Sequence, residues 1–252
     1  MGTLIVQSKD EIPDDAYRRM VLTLMDKQAS REVATAEVFG QCVLYAPTIE
    51  DKIRITRFQH EELKHYQLLA RLMAELGVDM QAYIRDRQRA GARFTGETAD
   101  MQIEDWIDAT LFNFMIDRAA TFQLTEYTRG SYVPLARAND LILKEEEGHK
   151  GFGEECLEHM CRDAATRAEI QRRFKKWFVG SMRIFGRAGT PGNKYCLEVG
   201  LKTRDSGDVA AAYVDSIRPV MSACGLRFPD RRELPLELPP QIDLSVPERT
   251  TT

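Results

Sequence analysis

Apolar residues recur at helical spacing along most of this chain, and the strict alternation typical of β-strands is rare. The first long pattern extends from Pro13 to Tyr45 and ends at Ala46-Pro47, because the residue before a proline is biased away from helical geometry. The second begins after Thr48, a good N-cap, and ends at Gly77, which suits a left-handed C-terminal cap. These patterns predict two long helices joined by a tight turn.

The rest of the chain predicts further helices separated by glycine- and proline-containing segments. A short helix is expected over 80–89, a loop over 90–96, and longer helices over 102–129, 134–161 and 163–186, with weaker patterns over 194–201 and 208–223. Five prolines from Pro229 onward exclude a regular helix there. We therefore expect an all-α fold, with residues 1–228 forming one helical domain and residues 229–252 an extended, proline-rich C-terminal arm.

Composition narrows the possible partners. The chain has 252 residues, 43% of them hydrophobic, and a net charge of −4, which is ordinary for a globular protein and argues against nucleic-acid or anionic-membrane binding. Its five cysteines form no C-x-x-C pair, so neither a disulfide framework nor a thiolate zinc site is expected. No signal peptide and no apolar run of roughly 20 residues is visible. We expect a cytoplasmic protein with no membrane segment.

The candidate chemistry lies in a repeated Glu-x-x-His unit. Two of the four histidines complete it, as Glu62 to His65 and Glu146 to His149. Residues at i and i+3 share one helix face, so a carboxylate and an imidazole can reach the same metal ion. Both units interrupt apolar stripes that point to the interior of a helical bundle. A buried carboxylate is costly unless it is paired or binds a metal, so the two units are expected to share a metal site.

Two more acids can complete such a site from other helices. Glu32 lies on an apolar stripe of the first helix, 30 residues before Glu62, and Asp117 precedes Glu146 by 29 residues on the third long helix. Glu37 competes with Glu32 for this role, and Glu126 competes with Asp117. Four carboxylates and two imidazoles suit two iron or two manganese ions with coordination positions left open.

The remaining acids and histidines near these units are expected to play no part in metal binding. Glu61, Glu145 and Glu147 flank the proposed ligands in sequence, and we predict that they face solvent. His60 and His159 lack the Glu-x-x-His spacing and are predicted to be ordinary histidines.

The sequence also resembles a known family, the catalytic subunits of bacterial phenylacetyl-CoA epoxygenases within the ferritin-like superfamily. The resemblance rests on segments spread over most of the chain: Ile12 to Arg18, Tyr45-Ala46-Pro47-Thr48, Gln59 to His65, Ile116 to Ala120, Arg129 to Tyr132, Lys144 to His149, Ile184-Phe185-Gly186, Val220, and Gly225 to Asp230. It departs from the family in a shorter C-terminus and in bulkier residues between Gln59 and His65.

The resemblance implies a ferritin-like four-helix bundle and a specific site. The implied metal ligands are Glu32, Glu62, His65, Asp117, Glu146 and His149, with Asp117 selected over Glu126 by its Asp-x-Ala-Ala context. It further implies two iron ions, dioxygen as co-substrate, and epoxidation of the aromatic ring of an aryl-CoA thioester. The implied partners are a separate NAD(P)H-dependent reductase and a related non-catalytic helical subunit. No flavin, nicotinamide or iron–sulfur motif is visible in this chain.

Two alternative functions use the same ligands. One is a di-metal oxidase or oxygenase acting on a different small aromatic or acyl substrate, and the other is a ferroxidase-type bundle, which needs neither an organic substrate nor a reductase. A CoA substrate would bring phosphates, for which two basic patches are candidates. The first comprises Arg85, Arg87, Arg89 and Arg93, and the second Arg172, Arg173, Lys175 and Lys176; solvated basic faces are the competing interpretation. Trp106, Phe112 and Phe122 belong either to a substrate pocket or to the core.

Overall fold

A computed structural model describes residues 4–89 and 102–245, and the regular structure within these ranges is helical apart from one isolated bridge between Val6 and Tyr132. The helices are α1 (Asp15–Tyr45), α2 (Ile49–Glu75), α3 (Met80–Arg89), α4 (Trp106–Leu111), α5 (Arg118–Thr125), α6 (Val133–Met160), α7 (Ala164–Ile184), α8 (Pro191–Glu198) and α9 (Ser206–Cys224). A π-helical segment, Phe112–Asp117, connects α4 to α5, and short 3₁₀ turns cover Lys9–Glu11 and Arg231–Glu233. The predicted all-α class is confirmed.

Local capping explains where the long helices begin and end. Asp14 caps α1 by accepting a hydrogen bond from the Tyr17 amide, so the helix starts two residues after the predicted Pro13. The predicted cap Thr48 is confirmed, because its Oγ1 accepts from the Asp51 amide at 3.0 Å. Gly77 has φ +80° just after α2, a conformation that favours glycine.

The third long helix differs from the prediction of one continuous helix over 102–129. It begins at Trp106, is interrupted by the π-helical segment, and ends at Thr125. Single π turns within α-helices often occur at functional sites, and this one contains Asp117. Helix α6 approaches its backbone so closely that a Cβ added at Gly153 would lie 2.6 Å from the Phe114 amide nitrogen.

Two apolar clusters divide the interior of the bundle. One contains Phe39 of α1 and Phe58 of α2, and the other contains Met25 and Leu69 of the same two helices. Glu32 lies between the two clusters along α1, just as Glu62 and His65 do along α2. The helices therefore position these polar side chains between two layers of buried apolar side chains.

The C-terminal arm packs against the bundle as far as residue 245. It is extended apart from the Arg231–Glu233 turn, and it buries Leu238 and Ile242 in the larger apolar cluster. Within the arm, the Arg231 guanidinium donates to the carbonyls of Leu238 and Ile242 at 2.6 and 2.8 Å, which fixes the path of the chain. The domain boundary at residue 229 stays a prediction. In the described ranges, the helices all lack the combination of length and apolar character needed to cross a bilayer.

Candidate metal centre

Six side chains from four helical regions meet in the middle of the bundle and are called here the carboxylate–histidine cluster. They are Glu32 of α1, Glu62 and His65 of α2, Asp117 of the π-helical segment, and Glu146 and His149 of α6. Each is at most 6% exposed. Glu32, Glu62, His65 and Glu146 each offer one ligand atom, and these four atoms lie within 4.8 Å of one another, close enough to hold a metal ion.

Glu62 and Glu146 lie between the two imidazoles. Glu62 places one oxygen 3.9 Å from His65 Nδ1 and the other 3.3 Å from His149 Nδ1. Glu146 does the same, at 3.4 Å from His65 Nδ1 and 3.5 Å from His149 Nδ1. Each carboxylate therefore spans two half-sites, which is the arrangement that suits carboxylates bridging two cations.

The two other acids each interact with one of the two histidines. Glu32 belongs to the His65 side, where its Oε2 is 3.5 Å from His65 Nδ1. Asp117 is 2% exposed and interacts electrostatically with His149. The competitor Glu37 is exposed on α1. The competitor Glu126 is engaged elsewhere, by hydrogen bonds from Thr203 and Arg204.

The prediction that Glu61 and Glu145 face solvent is wrong. Glu61 is 7% exposed, and its Oε2 is 3.0 Å from His149 Nε2. Glu145 is half-buried, and its Oε2 is 2.9 Å from His65 Nε2. Each of these outer carboxylates therefore precedes one Glu-x-x-His unit and contacts the histidine of the other. Carboxylates in this position orient a ligating imidazole and fix its tautomer.

A basic side chain holds each outer carboxylate by its second oxygen. Arg57 donates to Glu61 Oε1 at 2.8 Å, and Lys64 donates to Glu145 Oε1 at 3.0 Å. The sequence signal was the doubled acid in Glu61-Glu62-x-x-His65 and Glu145-Glu146-x-x-His149. Glu147 is exposed as predicted, and His60 and His159 are exposed as well.

Most of the carboxylates and imidazoles of this cluster have pKa values that are shifted strongly by burial and by one another. Burial, together with the charges of Glu146 and Glu32, raises the pKa of Glu62 well above its usual value, and burial does the same to Asp117. Burial also opposes ionisation of Glu146, but the neighbouring imidazoles of His149 and His65 lower its pKa to about 2. Burial would lower the pKa of His65, yet Glu146 and Glu32 raise it to about 11. Without a cation, the cluster must retain protons to limit repulsion between its acids.

Three buried atoms of the cluster have no hydrogen-bond partner, and they show whether the site suits a metal ion. Among the described residues, His65 Nδ1, His149 Nδ1 and Asp117 Oδ2 are buried and make no hydrogen bond. Buried polar atoms rarely lack a partner, and these three belong to residues of one cluster. Both histidines use Nε2 for an outer carboxylate, which leaves Nδ1 for a metal. Oxygen donors with one imidazole per half-site suit iron or manganese.

A cavity of about 500 Å³ reaches the cluster from the surface. Glu32, Glu62, Asp117 and Glu146 form part of its lining, and most of the remaining walls come from α1, α5, α8 and the segments flanking α8. Trp106, Phe112 and Phe122 do not line it. Phe112 is 2% exposed, and all three pack in or against the larger apolar cluster, so they belong to the core.

The predicted basic patches lie away from this cavity, as far as they are described. Arg85 is exposed near Asp79, at 4.0 Å. The side chains of Arg87 and Arg89, and all of Arg93, lie outside the described part of the structure.

The α7 patch pairs with groups of the same chain. Arg172 forms an ion pair with Glu169, Arg173 with Glu169 and Asp105, and Lys175 with Glu233, while Lys176 donates to the Gln102 carbonyl at 3.3 Å. The cavity instead has basic side chains that sequence reasoning missed: Lys27, Arg31, Arg187 and Lys202.

Comparison with known proteins agrees with this architecture. The family model described as phenylacetic acid catabolic protein (PaaA_PaaC) matches residues 3–237. An Escherichia coli (strain K12) protein, named as one of the subunits of 1,2-phenylacetyl-CoA epoxidase, is 24% identical over 232 residues, which cover 89% of this chain and 73% of that protein. The range matched by the family model includes every residue of the cluster and both outer carboxylates. This chain therefore belongs to the phenylacetic acid catabolic protein family.

Proposed function

We propose that this protein is a di-iron, dioxygen-dependent monooxygenase that epoxidises the aromatic ring of phenylacetyl-CoA or a related aryl acyl-CoA. The observation that supports this most strongly is the convergence of four buried carboxylates and two imidazoles at the inner end of a cavity. Family membership and the name of the Escherichia coli relative supply the reaction and the substrate class.

Each member of the cluster has a distinct role in this proposal. Glu32 and His65 would hold one cation and Asp117 and His149 the other, with Glu62 and Glu146 shared between them. Two iron ions, with manganese as the alternative, would supply the electrons and Lewis acidity that activate dioxygen. Glu61 and Glu145 would keep each imidazole oriented with Nδ1 toward the metal.

The surroundings would limit access of water to the reaction. Phe39 and Phe58 lie against the His149 ring, with centroids at 5.5 and 4.3 Å. Because these apolar rings exclude water, the electrostatic interactions of the site are stronger. The cavity would then be the route by which the substrate enters. The aromatic ring would approach the cluster from the cavity, between Asp117 and Glu32.

The proposed reaction needs two electrons per turnover from outside the chain. We propose a separate NAD(P)H-dependent reductase as their source. We also propose that the chain assembles with a related, non-catalytic helical protein, because the name of the Escherichia coli relative makes it one component of a larger enzyme.

Metal analysis followed by a single turnover tests the function. Protein reconstituted anaerobically with ferrous iron should bind about two ions per chain, and on exposure to dioxygen it should convert phenylacetyl-CoA into a product heavier by one oxygen atom, detected by mass spectrometry. The Glu62→Ala variant should lose both properties, whereas Glu147→Ala, which changes an exposed acid of α6, should keep both. Iron oxidation with no change in the thioester would contradict the oxygenase proposal and favour a ferroxidase.

A further inference from the structure

Lys202 is a buried cation in the lining of the cavity. The residue is 6% exposed and lies in the segment between α8 and α9. Its Nζ donates to Asn193 Oδ1 at 3.0 Å and to Ser206 Oγ at 3.1 Å. An ammonium group has three donors, and these two contacts are both to neutral oxygens.

No acid neutralises this charge within the described structure. Cys196, Glu126 and Asp205 influence Lys202 electrostatically, but neither carboxylate forms an ion pair with it among the described residues. Glu126 is held by Thr203 and Arg204, and Asp205 accepts hydrogen bonds from Asn193 and Gly189. Burial accordingly lowers the pKa of Lys202. A buried charge without a partner is costly, so an anionic ligand would be favoured beside it.

The cavity connects this lysine to the metal site. Along α1 its lining extends from Met20 past Glu32 to Thr35, and Met20 and Glu32 are roughly 18 Å apart along the helix at about 1.5 Å per residue. Gly192 lies against Met20, since a Cβ added to it would be 3.7 Å from Met20 Cε, and Asn193 follows directly. The cavity therefore continues from the carboxylate–histidine cluster to the group around Lys202. Both groups can contact one elongated ligand.

We propose that Lys202 recognises a negatively charged oxygen of the substrate, a carboxylate or phosphate oxygen, while the aromatic end of the substrate points toward the carboxylate–histidine cluster. The side chain would act as a specificity-determining residue and would not touch the reacting atoms. The inference deepens the proposed function and rests on it for the direction of the substrate. Its test measures binding to metal-free protein, so its failure is distinguishable from failure of the oxygenase proposal.

Equilibrium binding of charged and neutral probes tests this role. The probes are phenylacetate, phenylacetyl-CoA, free CoA and the neutral analogue 2-phenylethanol, each titrated calorimetrically. Replacing Lys202 by methionine keeps the length of the side chain and removes its charge, whereas Lys202→Gln also keeps a hydrogen-bonding end. Both variants should weaken binding of the recognised anion at least tenfold and change binding of 2-phenylethanol less than twofold. Lys194→Met, on the exposed side of α8, should change neither.

The pattern across the probes identifies the source of the oxygen. Weaker binding of phenylacetate indicates a carboxylate, and weaker binding of both CoA and phenylacetyl-CoA indicates a phosphate; either result supports the proposal. An equal loss for 2-phenylethanol, a loss confined to phenylacetyl-CoA, unchanged binding, or failure of the wild-type protein to bind any anion would overturn it. If Lys202→Met does not fold, the Lys202→Gln measurement decides.

Discussion

Replacing Gly153 by alanine should damage the metal site without changing any of its ligands. An alanine Cβ would lie 2.6 Å from the Phe114 amide nitrogen and 2.7 Å from the Asn113 carbonyl carbon, both backbone atoms that cannot rotate away. Overpacking of this kind costs about 1–3 kcal/mol, and the helical preference of alanine returns only about 1 kcal/mol. The substitution should therefore destabilise the protein by up to about 2 kcal/mol, or a few degrees in Tm for a chain of this size.

The same clash would displace the π-helical segment that contains Asp117, so Gly153→Ala should also bind less iron than the wild type. Gly151→Ala is the matched control, because a Cβ at Gly151 meets no atom within 4 Å. It should raise stability by up to about 1 kcal/mol and leave the iron content unchanged. Calorimetric melting and metal analysis measure both effects. If Gly153→Ala is as stable as Gly151→Ala and contains as much iron, the close approach of α6 does not position Asp117.

Three further predictions follow from the outer carboxylates, the Glu126 contacts and the cluster. Glu145→Gln should weaken iron binding by about 10–100-fold, whereas Glu147→Gln should not, as measured by competition with a chelator; equal affinities would contradict the orienting role. Although burial raises the pKa of Glu126, its contacts with Thr203 and Arg204 lower it overall, so its ionised form stabilises the fold above pH 4.5 and that contribution is lost as pH falls. Urea unfolding should show Glu126→Gln less stable than the wild type by about 2 kcal/mol at pH 7, with a smaller difference near pH 4, and a pH-independent difference would refute the assignment. Chelating the iron should lower Tm, since free metal at 100 times its Kd stabilises a protein by about 2.7 kcal/mol, and an unchanged Tm would mean that no metal is bound in the fold.

Local rules were enough to predict most helices and the position of the cluster. The cap at Thr48 follows from side-chain chemistry that acts within one turn, and its side chain accepts the expected backbone hydrogen bond. The i, i+3 spacing likewise placed Glu62 with His65 on one face, and the fold brings them to the same interior region. Such features depend on neighbouring residues in sequence and are readable without tertiary contacts.

The features that sequence reasoning missed depend on contacts between distant elements. Glu61 and Glu145 looked solvent-exposed because each precedes a buried ligand, yet each contacts the histidine on the opposite helix. The π-helical segment that ends at Asp117 has no periodic pattern in the sequence, because it accompanies the close packing of the distant Gly153 of α6. Lys202 is hydrophilic and follows Leu201 in a short connecting segment, so its burial beside the cavity becomes visible only when α8 and α9 are placed.

Anomalous diffraction at the iron edge, from crystals of the iron-loaded protein, tests the central claim most directly. We predict two iron peaks about 3.5–4 Å apart, one beside Glu32 and His65 and the other beside Asp117 and His149, with Glu62 and Glu146 between them. A single peak, or iron bound away from these six side chains, would contradict the account.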